Sequence, residues 1–134
     1  MIANSKDPVK LFQIWVFPEN ENVTPRYDQK KIAPLLNKNT FSTVVKPKDK
    51  AEDDDLWVHQ QAYFNIGEFT ETTNTVYKVH NKAHGIYLMV IEGSFIVENE
   101  TLNERDAIGI WETDQISITA NEGCKALLIE VPMI

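Results

Sequence analysis

Cysteine is almost missing from this chain: Cys124 is the only one among 134 residues. A lone thiol cannot close an internal disulfide, so a disulfide-stapled secreted scaffold is excluded and a reducing, cytoplasmic setting is expected. Basic charge is short as well. Thirteen Lys and Arg face twenty Asp and Glu, for a net charge of -7, and the lysines are scattered rather than gathered in a stripe. Such a surface repels phosphate backbones, so nucleic acid is not an expected partner. Long apolar runs are absent: the longest, Ile86 to Ile91, is far too short to cross a bilayer. The opening MIANSKDPVK lacks the apolar stretch of a signal peptide, and no membrane association is expected. No P-loop, dinucleotide glycine motif or Ser-His-Asp order occurs.

Helix signals are scarce too. Only Asp28 to Lys38 could hold a turn or two, and Pro34 interrupts it. With no strand–helix alternation, a doubly wound α/β fold is excluded. Strand signals fill the remainder. KLFQIWVF (Lys10 to Phe17) is rich in bulky β-formers and stops at Pro18. FSTVV (Phe41 to Val45) is a short strand closed by Pro47. LWVHQQAYFNIGEF (Leu56 to Phe69) reads as one long strand or two joined ones, with Gly67 as a bend or bulge. Tyr77 and Val79 share a face of TVYKVH, and GIYLMVIEG reads as a strand buried on both faces. SFIVEN, ETL, AIGIW, QISITA and KALLIEV follow, with breaks roughly every 8–12 residues, the spacing of a sandwich or barrel. The expected architecture is a single all-β domain over residues 1–134, of about ten strands, with a flexible segment at 1–9. The acidic AEDDD (Ala51 to Asp55) reads as a solvated loop, and Arg105 and Asp106 of LNERD as a local ion pair.

The segments LFQIWVFPENENVTPRYDQKKI, WVHQQAYFNIGEF, YKVHNKAHGIYLMVIEGSFIVENETLNERDAIGIWETDQISI and LLIEVPM, in that order, resemble the second cupin domain of the pirin family. That family includes the pirin-like quercetin 2,3-dioxygenases. The resemblance runs from about Leu11 to Met133 and implies a cupin-type jelly roll. It also implies that the complete relatives are bicupins. Their first domain carries iron or another divalent metal on three histidines and a glutamate, and their second, degenerate domain packs against it.

A cupin strand grips its metal with an H-x-H pair and a glutamate four residues on, because alternate strand residues point the same way. Counting back from Gly93 places those positions on Val79, Asn81 and Gly85, none of which is a ligand. The two histidines nearby, His80 and His84, share a strand face, yet Gly85 is expected to break the strand between them and the core. No histidine follows His84, and His59 lies upstream in another strand. The frame of a cupin site is present without its ligands. No catalytic, cofactor-binding or metal-ligating residue is therefore assigned, and no cofactor is expected in this chain. A shell built from His59, His80, His84 and Glu92 is the less favoured alternative. The histidines instead read as surface or hydrogen-bonded strand residues.

Trp15, Trp57, Trp111, Tyr63, Tyr77 and Tyr87 read first as core and interface aromatics. Candidate cavity contacts for a small molecule are Trp57, His59, Tyr77, His80, His84, Tyr87 and Trp111. A thiol chemistry for Cys124 is not expected, since no histidine lies near it in sequence. The functional expectation is a metal-free, non-catalytic cupin with a structural, dimerising or small-molecule-binding role, acting as a homodimer or beside a separate first-domain cupin. The alternative is one half of a pirin-like quercetin 2,3-dioxygenase whose metal lies in the other half.

Overall fold

The computed structural model describes residues 6–133, and strands dominate it: β1 (Thr40–Pro47), β2 (Leu56–Val58), β3 (Tyr63–Phe69), β4 (Thr73–Lys78), β5 (His84–Glu92), β6 (Phe95–Val97), β7 (Glu100–Leu102), β8 (Ala107–Ile110), β9 (Gln115–Ala120) and β10 (Cys124–Pro132). Among the described residues helix is limited to 3-10 turns at Ala33–Leu35, which includes Pro34, and Lys48–Lys50. The strands form two sheets, ordered β2-β1-β3-β10-β5-β8 and β4-β9-β6-β7. The pairings are antiparallel apart from β1 with β2.

The period-two patterns decide which side chains enter the space between the sheets. From the larger sheet come Phe69, Ile86, Leu88, Val90, Ala126 and Leu128; from the smaller, Phe95, Val97, Ile116, Ile118 and Ala120. Phe69 meets Phe95 edge-on at 5.7 Å and Phe41 at 5.5 Å, so three rings cross the sandwich at one end. Full burial of each such side chain is worth about 2 kcal/mol. Cys124 is buried beside them and donates its thiol to the Ser94 carbonyl at 2.8 Å, a structural contact.

Several sequence expectations need correction. Lys10 to Phe17 is not a strand: it belongs to neither sheet, and its backbone forms no ladder with any described strand. Trp15 and Phe17 are 83% and 85% exposed there. Of the two readings of Leu56 to Phe69 the structure shows the one with two strands, with the break at residues 59–62, where Gln60 turns its amide to the Phe17 carbonyl. Gly67 is neither bend nor bulge but lies mid-strand beneath the Phe41 and Phe69 rings, and the irregularity falls instead at Thr43/Val45. Gly85 does not break a strand, because β5 starts at His84 and stays in register with β10 through Pro132. Nor is β5 buried on both faces: Tyr87 is exposed on its outer side. Arg105 has a left-handed backbone (φ 73°) and turns toward Glu104, while Asp106 accepts the Asn103 N–H, so the expected Arg105–Asp106 pair is not made. The AEDDD loop is solvated apart from Asp55, which holds Lys46 at 2.7 Å and the Glu52 N–H at 3.0 Å. The segment expected to be flexible, 1–9, lies in part outside the described residues.

A candidate functional site around Glu130

Strand β10 reads KALLIEV, and alternation places Ala126, Leu128 and Glu130 toward the opposite sheet. Glu130 is therefore a carboxylate with no exposed surface in an otherwise apolar layer. Such a charge is tolerated only when fully paired. Four donors converge on it. Tyr77 Oη, from β4 across the sandwich, lies 2.7 Å from Oε2, and His80 Nδ1 lies at 2.7 Å from the same oxygen. The His80 backbone N–H reaches Oε1 at 2.9 Å, and His84 Nδ1 reaches it at 2.7 Å. Beside them Tyr63 stacks flat on the His80 ring, with centroids 3.7 Å apart. Asn65 links the cluster onward: its Nδ2 donates to Tyr77 Oη and to the Leu128 carbonyl, each at 3.3 Å, and its Oδ1 accepts the Thr43 hydroxyl at 2.6 Å.

Burial alone would push the Glu130 carboxyl up, but the hydrogen bonds from His80, Tyr77 and His84 outweigh it and hold it below the ordinary glutamate value. Glu130 is thus ionised and acceptor-only, so both imidazoles present Nδ1–H to it, which fixes their tautomer. Burial and then the Glu130 contact raise the Tyr77 hydroxyl well above its usual value. The Tyr63 hydroxyl is raised in the same way, by burial first and the Glu130 charge second.

The three positions where a cupin strand would carry ligands do not fit a metal. Val79 packs on the core, Asn81 closes a turn by accepting the Ala83 N–H at 2.9 Å, and Gly85 lies under Met133, whose sulfur a Cβ would meet at 2.6 Å. Among the described residues no group of three or more His, Cys, Asp or Glu is placed to hold a metal ion. The carboxylate that does meet two imidazoles is spent on them, and each imidazole spends its Nδ1 on it.

The candidate cavity residues divide among three places. Tyr77, His80 and His84 join the Glu130 cluster. Trp57 and His59 meet edge-on at 4.9 Å and line a pocket of about 440 Å³ beneath the segment 16–28, where Arg26 stacks over the Trp57 ring at 3.9 Å. His59 follows β2 rather than lying within a strand, and its Nε2 is buried without a hydrogen-bond partner. Tyr87 and Trp111 stand exposed beside the β5–β8 edge, and Trp15 is exposed on the N-terminal segment. Sequence reasoning missed Glu130, although one acid inside ALLIEV was the available signal. It also missed Arg26, which nothing in its neighbourhood marks.

Comparison with known proteins gives a consistent result. A quercetin 2,3-dioxygenase of Escherichia coli (strain K12) is 26% identical over 131 residues, covering 98% of this chain and 54% of that protein. The crystal structure of YhhW from Escherichia coli aligns with a TM-score of 0.76 at 23% identity, over 90% of this chain and 49% of the other. The bacterial pirin YhhW in complex with nickel(II) aligns at 0.74 and 23% identity, over 87% and 48%. These likenesses establish the cupin fold expected from the sequence, and the chain spans about half the length of the curated relatives it matches. Residues 44–131, from β1 through all but the last residue of β10, match the model of the quercetinase C-terminal cupin domain, and the chain belongs to that family.

Proposed function

We propose that this chain is a supporting cupin without a transition metal of its own, which assembles through an apolar face as a homodimer. The observation that carries this is the strip Leu11, Phe12, Ile14, Trp15 and Phe17, exposed on a segment with no strand partner. Soluble proteins rarely leave such a patch bare. A second copy, related by a two-fold axis, covers it with the same strip and contributes matching apolar area. The donor chemistry supports the metal-free part, because Val79, Asn81 and Gly85 offer no ligand set and the Glu130 lone pairs are taken. No catalytic residue is assigned, and a cytoplasmic setting goes with the single cysteine.

Light scattering at high micromolar concentration tests the assembly. A dimer mass is expected, falling to the monomer mass in a Trp15→Ser, Phe17→Ser double variant. A monomeric parent chain overturns it. Metal analysis of the purified chain should find transition metal far below one equivalent, and stoichiometric iron or nickel bound to it overturns the metal-free part.

One observation favours a second reading, in which this chain completes a quercetin 2,3-dioxygenase together with a metal-bearing cupin. The relatives are about twice as long and match through one half. Co-expression with a histidine-bearing first-half cupin would then yield a one-to-one complex in place of the homodimer, with flavonol-cleaving activity absent from either part alone.

A further inference from the structure

His80 and His84 each spend one ring nitrogen, Nδ1, on Glu130, but they differ in burial: the His80 side chain is 43% exposed, whereas His84 is enclosed. Its side chain is 7% exposed, and Nδ1 is committed to Glu130. Nε2 makes no hydrogen bond among the described residues, and it is not a sealed, orphaned atom either, so it reaches the surface. In the neutral imidazole the Glu130 contact places the proton on Nδ1, and Nε2 then presents a lone pair.

His84 lines a hollow of about 360 Å³ together with Lys82, Trp111, Glu112 and Met133. Trp111 and Met133 also wall an adjoining hollow of about 220 Å³, floored by Gly85 and Gly109 and bounded by Tyr87. Trp111 is 57% exposed and Met133 49%, so flat apolar surface stands open beside the His84 ring. The rim carries one cation and one anion, Lys82 and Glu112, so its charge selects neither an anion nor a cation. Gly85 matters here: any Cβ would strike Met133, so its absence lets the thioether close the wall.

We propose that this double hollow at the β5–β8 edge is a binding site for a small neutral aromatic molecule bearing an O–H or N–H donor. The donor bonds to His84 Nε2 and the ring lies against Trp111 and Met133. The buried Glu130 holds the acceptor in place, as an outer partner orients a histidine in many binding sites. The site is independent of the assembly proposed above, since it uses none of the residues 11–17.

The test titrates the chain with 4-methylphenol and with 4-methylanisole, its methylated analogue without a donor, at about pH 8, where the phenol keeps its proton and an ordinary imidazole carries no charge. Binding is followed by calorimetry and by NMR of the His84 ring nitrogens and the Trp111 indole N–H. Saturable binding of 4-methylphenol is expected, with a shift at His84 Nε2 larger than at His80. 4-Methylanisole should bind about tenfold more weakly, the loss of one hydrogen bond at a desolvated acceptor. Trp111→Ala, a change at an exposed side chain, should weaken 4-methylphenol severalfold without altering the denaturation midpoint. Equal affinity for the two probes, no shift at His84, affinity unchanged by Trp111→Ala, or no saturation up to the solubility limit each overturns the site.

Discussion

His84 Nδ1 lies 2.7 Å from Glu130 Oε1, although the residues are 46 positions apart in the chain. The register of β5 on β10 makes the contact: His84 opposes Pro132 and Ile86 opposes Glu130, so the two are diagonal neighbours on the inner face. Glu130→Gln keeps the shape but replaces one acceptor oxygen with a donor amide, facing Tyr77, His80 and His84. Two or more buried donors then lose their acceptor. A destabilisation of about 3 kcal/mol is expected, read as a lower urea midpoint with the slope unchanged. A loss below about 0.5 kcal/mol would mean that the carboxylate is not the hub described.

The same carboxylate sets an acid limit. Its folded pKa lies below its ordinary value of 4.5. The native state thus holds the charged form more tightly than the unfolded chain does. Its contribution is complete above about pH 4.5 and is lost as pH falls through the folded value. The stability gap between the parent protein and Glu130→Gln should therefore narrow on acidification below pH 4.5. Tyr77 has the opposite sign. Its pKa is raised, first by burial and then by Glu130, so its contribution is intact below pH 10 and declines as pH rises beyond that. A gap that widens below pH 4.5 would contradict the assignment of Glu130.

The sheet framework was readable from alternation, because nearly every strand from β3 onward buries one face and the sequence writes that pattern directly. QISITA buries Ile116 and Ile118, as its spacing demands. Lys10 to Phe17 shows where alternation and propensity fall short. Its composition is that of a strand, but a strand needs a neighbour, and this segment pairs with none of the described strands although both sheets leave edges open. The site was harder to read for a related reason. Leu127, Ile129 and Val131 mark one apolar face of β10, which leaves Glu130 on the face a sequence would assign to water. Only the pairing of two sheets reveals that face as interior. His80 and His84 do not have the spacing of an H-x-H pair, and what binds them together is a residue 46 to 50 positions away.

Gly67 offers a sharper packing test. A Cβ at this position would come within 2.6 Å of Phe69 Cε2 and 2.8 Å of Phe41 Cε1. Phe69 is almost fully buried and locked edge-on against Phe95, so it cannot yield without disturbing the core. Gly67→Ala should cost about 2 kcal/mol by overpacking, despite a backbone conformation that alanine accepts. Phe41→Leu in the same chain should recover part of the loss, because the two changes share one contact and are not additive. A neutral Gly67→Ala would show that the rings have room to move.

Arg26 fastens the irregular segment 16–28 to the folded sheets. Its guanidinium stacks over Trp57, donates to the Trp57 carbonyl at 3.0 Å and meets Asp28 at 3.1 Å. The segment otherwise depends on the Glu19 N–H to the His59 carbonyl and the Gln60 amide to the Phe17 carbonyl. Arg26 is partly exposed, so Arg26→Ala should lower global stability by no more than about 1 kcal/mol. Its local effect should be larger. Amide exchange across residues 16–28 should accelerate severalfold and proteolysis should concentrate there, while β3, β5 and β10 keep their protection. Arg26→Lys should not restore the parent behaviour, since an ammonium cannot both lie flat on the indole and donate to the carbonyl beside it. Exchange unchanged across 16–28 in Arg26→Ala would place the anchoring of this segment elsewhere.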